Sequence, residues 1–170
     1  MTLPDSRREL ITWEDMDRLI DQLLPQFRRE FTAMVMITRG GIIPGGMIAE
    51  ALDINYILTA AVRFSTELTD KRMAWPTFLQ FPEDALLQGR RVLIVDDIWG
   101  SGRTITTVIG RVEACGARAE TAVLHYKPGD NLFKQTGPVY YAAITDAVIV
   151  YPWERGRGTQ GVPLPGLTQI

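Results

Sequence analysis

Val92, Leu93, Ile94 and Val95 run without interruption into two carboxylates, Asp96 and Asp97. Few folds can use such a segment. A short continuous apolar run suits a strand covered on both faces, which is the habit of a parallel sheet with helices on each side. In such sheets ligands collect at the carboxyl ends of the strands. The run therefore delivers a carboxylate pair to a site. The residues that follow extend the pattern. Gly100 and Gly102 let the backbone approach a ligand closely. Ser101 and Thr104 add hydroxyls, and a helix opening there turns free N–H groups and its positive dipole end toward an anion. Carboxylates for hydroxyls, beside an amide nest for a phosphate, describe a site for a sugar phosphate. The segment carries neither the P-loop pattern nor the dinucleotide G-x-G-x-x-G fingerprint.

The rest of the chain keeps an α/β rhythm. Residues 11–27 read as an amphipathic helix with Thr12 as N-cap and Asp15 closing a capping box. Ile11 and Met16 flank it as a hydrophobic staple, and Pro25 ends it. Residues 33–37, AMVMI, form a second buried strand. A turn at Thr38, Arg39, Gly40 and Gly41 leads to a helix over 44–52 and a strand over 54–62. Residues 63–84 break the rhythm, as a functional lid or as a surface excursion with a small hairpin. The strand over 91–97 leads through a loop at 98–102 to a helix over 104–115, with Gly116 at its C′ position. A strand over 119–126 follows. Residues 140–144 and 147–151 are two short strands or one interrupted strand, and the tail is irregular. The expectation is a single α/β domain over 1–170, with a central, mostly parallel sheet flanked by helices.

Two counts narrow the chemistry. With one cysteine, Cys115, and one histidine, His125, no disulfide can form within the chain and no Cys/His zinc cage can be built. What remains is carboxylates, Lys and Arg, backbone amides and a hard metal such as Mg²⁺. A net charge of −2 argues against nucleic-acid binding through a basic surface. The apolar-rich stretch over 31–62 is broken by Arg39, Glu50, Asp53 and two Gly pairs, so it does not read as a membrane span. Residues 1–9 contain no apolar core of a signal peptide. A cytoplasmic location is expected.

The run from Val92 to Thr104 closely resembles the phosphoribosyl-pyrophosphate (PRPP) motif of the type I phosphoribosyltransferases: apolar residues, two acids, then a Ser-Gly-x-Thr loop. The resemblance implies that Asp96 and Asp97 face the ribose hydroxyls. It also implies that Gly100, Ser101, Gly102, Arg103 and Thr104 wrap the 5′-phosphate. The segment Thr38, Arg39, Gly40, Gly41 with Pro44 and Gly45 is similar to the pyrophosphate loop of the xanthine-guanine members. There Arg39, Gly40 and Gly41 would hold pyrophosphate, and a cis peptide would fall at Thr38–Arg39. Arg39 joins the two aspartates as the catalytic set by resemblance. Family members carry a mobile lid where residues 63–84 lie, which makes Lys71 and Arg72 candidates to reach pyrophosphate. Lys127-Pro128 is similar to the 6-oxopurine members' Lys-Pro, whose Lys donates to the oxygen at purine C6. Pro152-Trp153-Glu154 is similar to the xanthine-guanine Pro-Trp-acid ending. It implies base contacts at Ile149 and Trp153 and a Mg²⁺ position at Glu154.

By resemblance the chain joins a purine base, a 6-oxopurine, to PRPP with Mg²⁺ and releases pyrophosphate, as in purine salvage. The fold adds a small hood and a lid, and the assembly is a homodimer or homotetramer. Two departures bear on the substrate. Gly100 stands where many 6-oxopurine members carry a further Asp, and Val148 stands where the branch has a stacking aromatic. They keep two other readings open: a weak or inactive PRPP- or nucleotide-binding regulator, or a transferase for adenine or a pyrimidine.

Overall fold

The computed structural model describes residues 7–64 and 75–155. The elements run in the order β1 (Arg8–Leu10), α1 (Trp13–Leu23), β2 (Ala33–Ile37), α2 (Ile42–Ala51), β3 (Ile57–Phe64), β4 (Pro76–Gln80), α3 (Asp84–Leu87), β5 (Arg91–Trp99), α4 (Arg103–Ala114), β6 (Arg118–Tyr126), β7 (Tyr140–Ile144) and β8 (Val148–Val150). Six strands form the main sheet in the order β4-β3-β2-β5-β6-β7. Every neighbouring pair is parallel except β3 with β4, which is antiparallel. The expected α/β class with a central, mostly parallel sheet is the observed one. Among the described residues no helix is long and apolar enough to cross a membrane.

Alternation along the strands explains the two-sided core. In β2, Met34 and Met36 join one buried cluster with Leu93, Val95 and the inner face of α1. Ala33, Val35 and Ile37 join the other, with Ile94 and with Ile105, Val108 and Val112 of α4. All five β2 residues are buried, as a continuous apolar run requires. Helix α1 buries Met16, Leu19, Ile20 and Leu23 and starts on the expected capping box. Thr12 Oγ1 accepts from the Asp15 amide at 3.1 Å, and Asp15 Oδ2 accepts from the Thr12 amide at 3.0 Å. It stops at Leu23, where Pro25 sits in a following 3-10 turn.

Several boundaries move, each for a pairing reason. The strand expected over 91–97 continues to Trp99, because Ile98 and Trp99 pair with His125 and Tyr126 of β6. The segment expected as a loop over 98–102 is thus two residues shorter. Helix α2 begins two residues before Pro44. The strand expected over 54–62 lies at Ile57–Phe64. The expected lid over 63–84 is partly structured, since Arg63 and Phe64 complete β3 and Pro76–Gln80 returns as β4. The hairpin reading accounts for those residues, and Lys71 and Arg72 lie outside the described residues. Residues 140–144 and 148–150 are two strands in different sheets. Strand β8 pairs in parallel with β1, forming the hood beside the main sheet. The expected tail is described only at Arg155, whose guanidinium donates to the Ile11 carbonyl at 3.0 Å.

Gly41 and Gly46 sit in the same stretch under opposite constraints. A Cβ on Gly41 would collide with the Val95 carbonyl and lie 2.9 Å from Ile37 N and O, all backbone atoms that cannot swing away. A Cβ on Gly46, exposed in α2, would meet nothing within 4 Å. Gly41→Ala is expected to destabilise the protein by about 1–3 kcal/mol. Gly46→Ala is expected to stabilise it by roughly 0.5–1 kcal/mol, because alanine holds a helix better than glycine. Urea unfolding midpoints of the two variants against the parent check both signs.

Candidate functional site

The chain reverses its build direction between β2 and β5, with β3 and β4 laid to one side and β6 and β7 to the other. The carboxyl ends of β2 and β5 therefore face a common crevice, where open α/β sheets bind ligands. That crevice is a cleft of about 690 Å³ lined by Ile37, Thr38, Arg39, Gly40, Val62, Asp96, Asp97, Thr104, Trp153 and Glu154. Residues from three separate sequence motifs thus meet in one place.

The turn after β2 is pressed onto the end of β5. The Thr38–Arg39 peptide is cis, as the resemblance implies. Gly41 N–H donates to the Ile37 carbonyl at 2.8 Å and closes the turn. A Cβ on Gly40 would lie 2.5 Å from Asp97 Cγ and Oδ1, so glycine is the residue that lets this backbone rest on the carboxylate. Arg39 is exposed at the rim.

The two aspartates are adjacent on one strand, so their side chains leave it in different directions. Asp96 Oδ1 accepts from the Asp97 amide at 3.0 Å. Burial and then the neighbouring Asp97 charge push the Asp96 carboxyl well above the usual carboxylate range. Burial also raises Asp97, to about 6, and the Glu154 charge across the cleft adds to it. Such clustering of perturbed carboxyls in a cleft marks a functional centre.

Beyond β5 a smaller cavity of about 200 Å³ is lined by residues 96–102 with Thr104 and Ile105. It includes Gly100, Ser101, Gly102 and Thr104, at the start of α4. Gly102 adopts the left-handed conformation at φ 79° and is the N-cap of that helix. A Cβ there would also lie 2.5 Å from Trp99 Nε1. A Cβ on Gly100 would meet nothing within 4 Å. The Arg103 guanidinium lies over the Phe64 ring, 4.3 Å from its centroid, tying the loop to the end of β3. A brace that sequence spacing does not reveal holds this loop from behind. Leu132 N–H donates to the Ser101 carbonyl at 3.1 Å, and the Trp99 indole donates to Asn131 Oδ1 at 3.1 Å. Asn131 Nδ2 in turn donates to the Thr136 carbonyl at 2.7 Å.

On the far wall, Trp153 lines the cleft and stacks on Tyr151 with centroids 4.6 Å apart and planes 3° apart. Tyr151 was not singled out by its sequence context, yet it contacts several parts of the site. Ile149 is half-buried against the hydrophobic core and does not line the cleft. Val148 is 39% exposed. Lys127 lines a different cavity of about 340 Å³, with Arg7, Ile144, Thr145 and Asp146 among its walls. Its ammonium is paired with Asp130 at 2.6 Å, and its side chain is 15% exposed. Asp96, Asp97, Arg39, Gly40, Thr104, Trp153 and Glu154 are therefore brought together, with Ser101, Gly100 and Gly102 adjoining. Gly41 is buried behind the turn, while Lys127 and Ile149 stand apart.

Among the described residues no three His, Cys, Asp or Glu side chains converge to hold a metal. Asp97 and Glu154 nevertheless crowd negative charge into one cleft. An all-oxygen pair of this kind suits a hard cation such as Mg²⁺ that arrives with a phosphate ligand and keeps several waters.

A family model described as phosphoribosyl transferase domain matches residues 10–155. A xanthine-guanine phosphoribosyltransferase of Cereibacter sphaeroides is 30% identical over 124 residues, covering 72% of this chain and 68% of the relative. One from Ruegeria is 27% identical over 162 residues, covering 89% and 88%. The crystal structure of a purine phosphoribosyltransferase from Pyrococcus horikoshii superposes with a TM-score of 0.74 at 30% identity, covering 88% of this chain and 95% of that one.

The raised Asp97 pKa has a consequence for stability. Between the ordinary carboxyl value of 3.8 and about 6 the folded protein binds this proton more tightly than the unfolded chain does. Ionised Asp97 therefore costs stability at neutral pH, and the cost vanishes as pH falls through that window. Asp97→Asn is expected to be more stable than the parent by about 1–3 kcal/mol at pH 7–8. The difference is expected to close by about pH 4. Denaturation midpoints across that pH range check both the sign and the window.

Proposed function

Because this chain belongs to the phosphoribosyl transferase family, we propose that it transfers the 5-phosphoribosyl group of PRPP to a 6-oxopurine base and releases pyrophosphate. One observation carries the reading: the Arg39–Gly40 turn and the Asp97 carboxylate share a single cleft, with the Gly100–Thr104 loop adjoining. An anion-binding turn, two carboxylates and a second anion loop match the three parts of PRPP in order: pyrophosphate, ribose hydroxyls and 5′-phosphate.

In this reading Asp96 and Asp97 accept hydrogen bonds from the ribose hydroxyls and hold the sugar for in-line displacement. The amides and hydroxyls of residues 100–104 fix the 5′-phosphate at the start of α4. Arg39, with the amides of Gly40 and Gly41, stabilises charge that grows on the leaving oxygen as the bond from C1 of the ribose to pyrophosphate breaks. Glu154, with Asp97 across the cleft, would hold Mg²⁺, whose chemistry there is to neutralise pyrophosphate charge. The new bond joins a ring nitrogen of the base to C1. The base nitrogen gives its proton in this step to the departing pyrophosphate or to water, since position 100, a glycine, offers no side chain to take it. Trp153 supplies an aromatic wall for the base. Lys127 lines a separate cavity and is paired with Asp130; for it to reach the base as the resemblance implies, its ammonium, with three donors, must donate from there to an oxygen at purine C6. An amino group there would face it donor to donor, which is the physical case for a 6-oxopurine.

Pyrophosphate release with PRPP and Mg²⁺ should occur with hypoxanthine, guanine or xanthine and exceed that with adenine or any pyrimidine. The double variant Asp96→Asn, Asp97→Asn should lose about 100-fold or more in kcat/KM. Full activity of that variant would remove the two aspartates from the site. Silence with every base while PRPP still binds would make the chain a ligand-binding regulator.

A further inference from the structure

Tyr151 lies between β8 and the turn that carries Trp153 and Glu154, and it is 2% exposed. Its hydroxyl is 2.9 Å from the Asp97 carbonyl oxygen and 2.8 Å from His125 Nδ1. A phenol has a single proton to give, and a carbonyl oxygen can only accept. The proton therefore goes to Asp97, and Tyr151 Oη accepts from His125. His125 must then carry its proton on Nδ1, which fixes the tautomer of the imidazole. Its Nε2 is left as an acceptor, and His125 also lines a small cavity of about 220 Å³ whose walls include Glu9 and Arg18. Burial keeps the imidazole below its ordinary pKa, against a smaller opposing effect of the Glu9 charge.

The same residue holds the opposite wall of the cleft. Its ring stacks on Trp153. Its amide donates to Glu154 Oε2 at 2.9 Å. Through Tyr151, the strand end that bears the aspartates is tied to the turn that bears Trp153 and Glu154.

We infer that Tyr151, oriented by His125, is a positioning residue that sets the distance between the ribose-holding wall of the cleft and its base- and metal-facing wall. Its activity consequence rests on the function proposed above, while the hydrogen-bond chain does not. Tyr151→Phe keeps the stacking ring and the amide contact and removes only the hydroxyl tie. Both substrates then still bind, but the two walls are no longer held in register. A misplacement of about 1 Å at a reacting centre costs on the order of 100-fold in rate.

The chain has one histidine, so nitrogen-15 spectra of untagged protein labelled in histidine report on His125 without assignment. The parent should show the neutral Nδ1–H form, and Tyr151→Phe should lose its dominance. An Nε2–H form in the parent would overturn the proposal. For activity, kcat of Tyr151→Phe should fall about 10- to 100-fold, counted per PRPP-binding site by calorimetric titration. The KM for PRPP should change by less than about threefold, because the groups that hold it are retained. A merely structural role would reduce the number of binding sites and leave kcat per site intact, and that result also overturns the proposal. His125→Leu should match Tyr151→Phe, and His125→Asn, which restores a donor near Nδ1, should recover most of the loss. If the parent itself turns over no base, the transferase reading fails on its own. The histidine spectra and the Asp97 carbonyl carbon shift in Tyr151→Phe then decide the tie, an unchanged shift overturning it.

Discussion

The turn after β2 rests its backbone on the end of β5, and the rest of the site depends on that approach. Gly41 lies against the Val95 carbonyl and Gly40 against the Asp97 carboxylate. Neither contact leaves room for a side chain. Together they bring an arginine-bearing turn to a pair of carboxylates at the point where the sheet reverses its direction of growth. The buried apolar runs of β2 and β5 make the approach possible. Their five- and nine-residue strands pair in parallel through the core with Met36 opposite Val95, so the end of β2 is held level with the aspartates that follow Val95. Packing in the core, seen this way, is what gives the cleft its geometry.

Electrostatics pulls against that packing. Three carboxylates, Asp96, Asp97 and Glu154, share one cleft, and two of them are held above their ordinary pKa by burial first, then Asp96 by the Asp97 charge and Asp97 by the Glu154 charge. A chain selected for stability alone would not keep them there, because each buried charge costs free energy unless it is paired. Under the function proposed above, ribose hydroxyls and a divalent cation would supply the donors and the positive charge that these carboxylates lack, and stability given up here would return as affinity for such a ligand.

Much of this was legible in the sequence, and the legible part has a common character. The VLIVDD run, the capping box at Thr12 and Asp15, the stop at Pro25 and the Gly116 cap are local, and each appears where its chemistry requires. The resemblance located the cis peptide at Thr38–Arg39 in the same way, because it is carried by a contiguous motif. What escaped is long-range. The pairing of β1 with β8 joins residues about 140 positions apart, and a strand of three residues leaves no readable period. The extension of β5 to Trp99 depends on a partner strand that periodicity in β5 cannot announce.

The brace behind the 100–104 loop shows why such contacts matter. Under the function proposed above this loop presents amides to an anion, and a loop that does so draws its rigidity largely from elsewhere. Here the support comes from residues 131–136. Leu132 donates to the Ser101 carbonyl, Trp99 donates to Asn131, and Asn131 donates to Tyr126, Phe133 and Thr136. The Ser101 carbonyl and the Trp99 indole carry these ties, while within the loop the Arg103 amide donates to Ser101 Oγ at 3.4 Å. Tyr151 follows the same logic on the other wall, where its hydroxyl takes the Asp97 carbonyl and leaves the carboxylate to the cleft. In both places the residues lining the cavity are held by neighbours on another element, which under the function proposed above would lower the cost of ordering the site on binding.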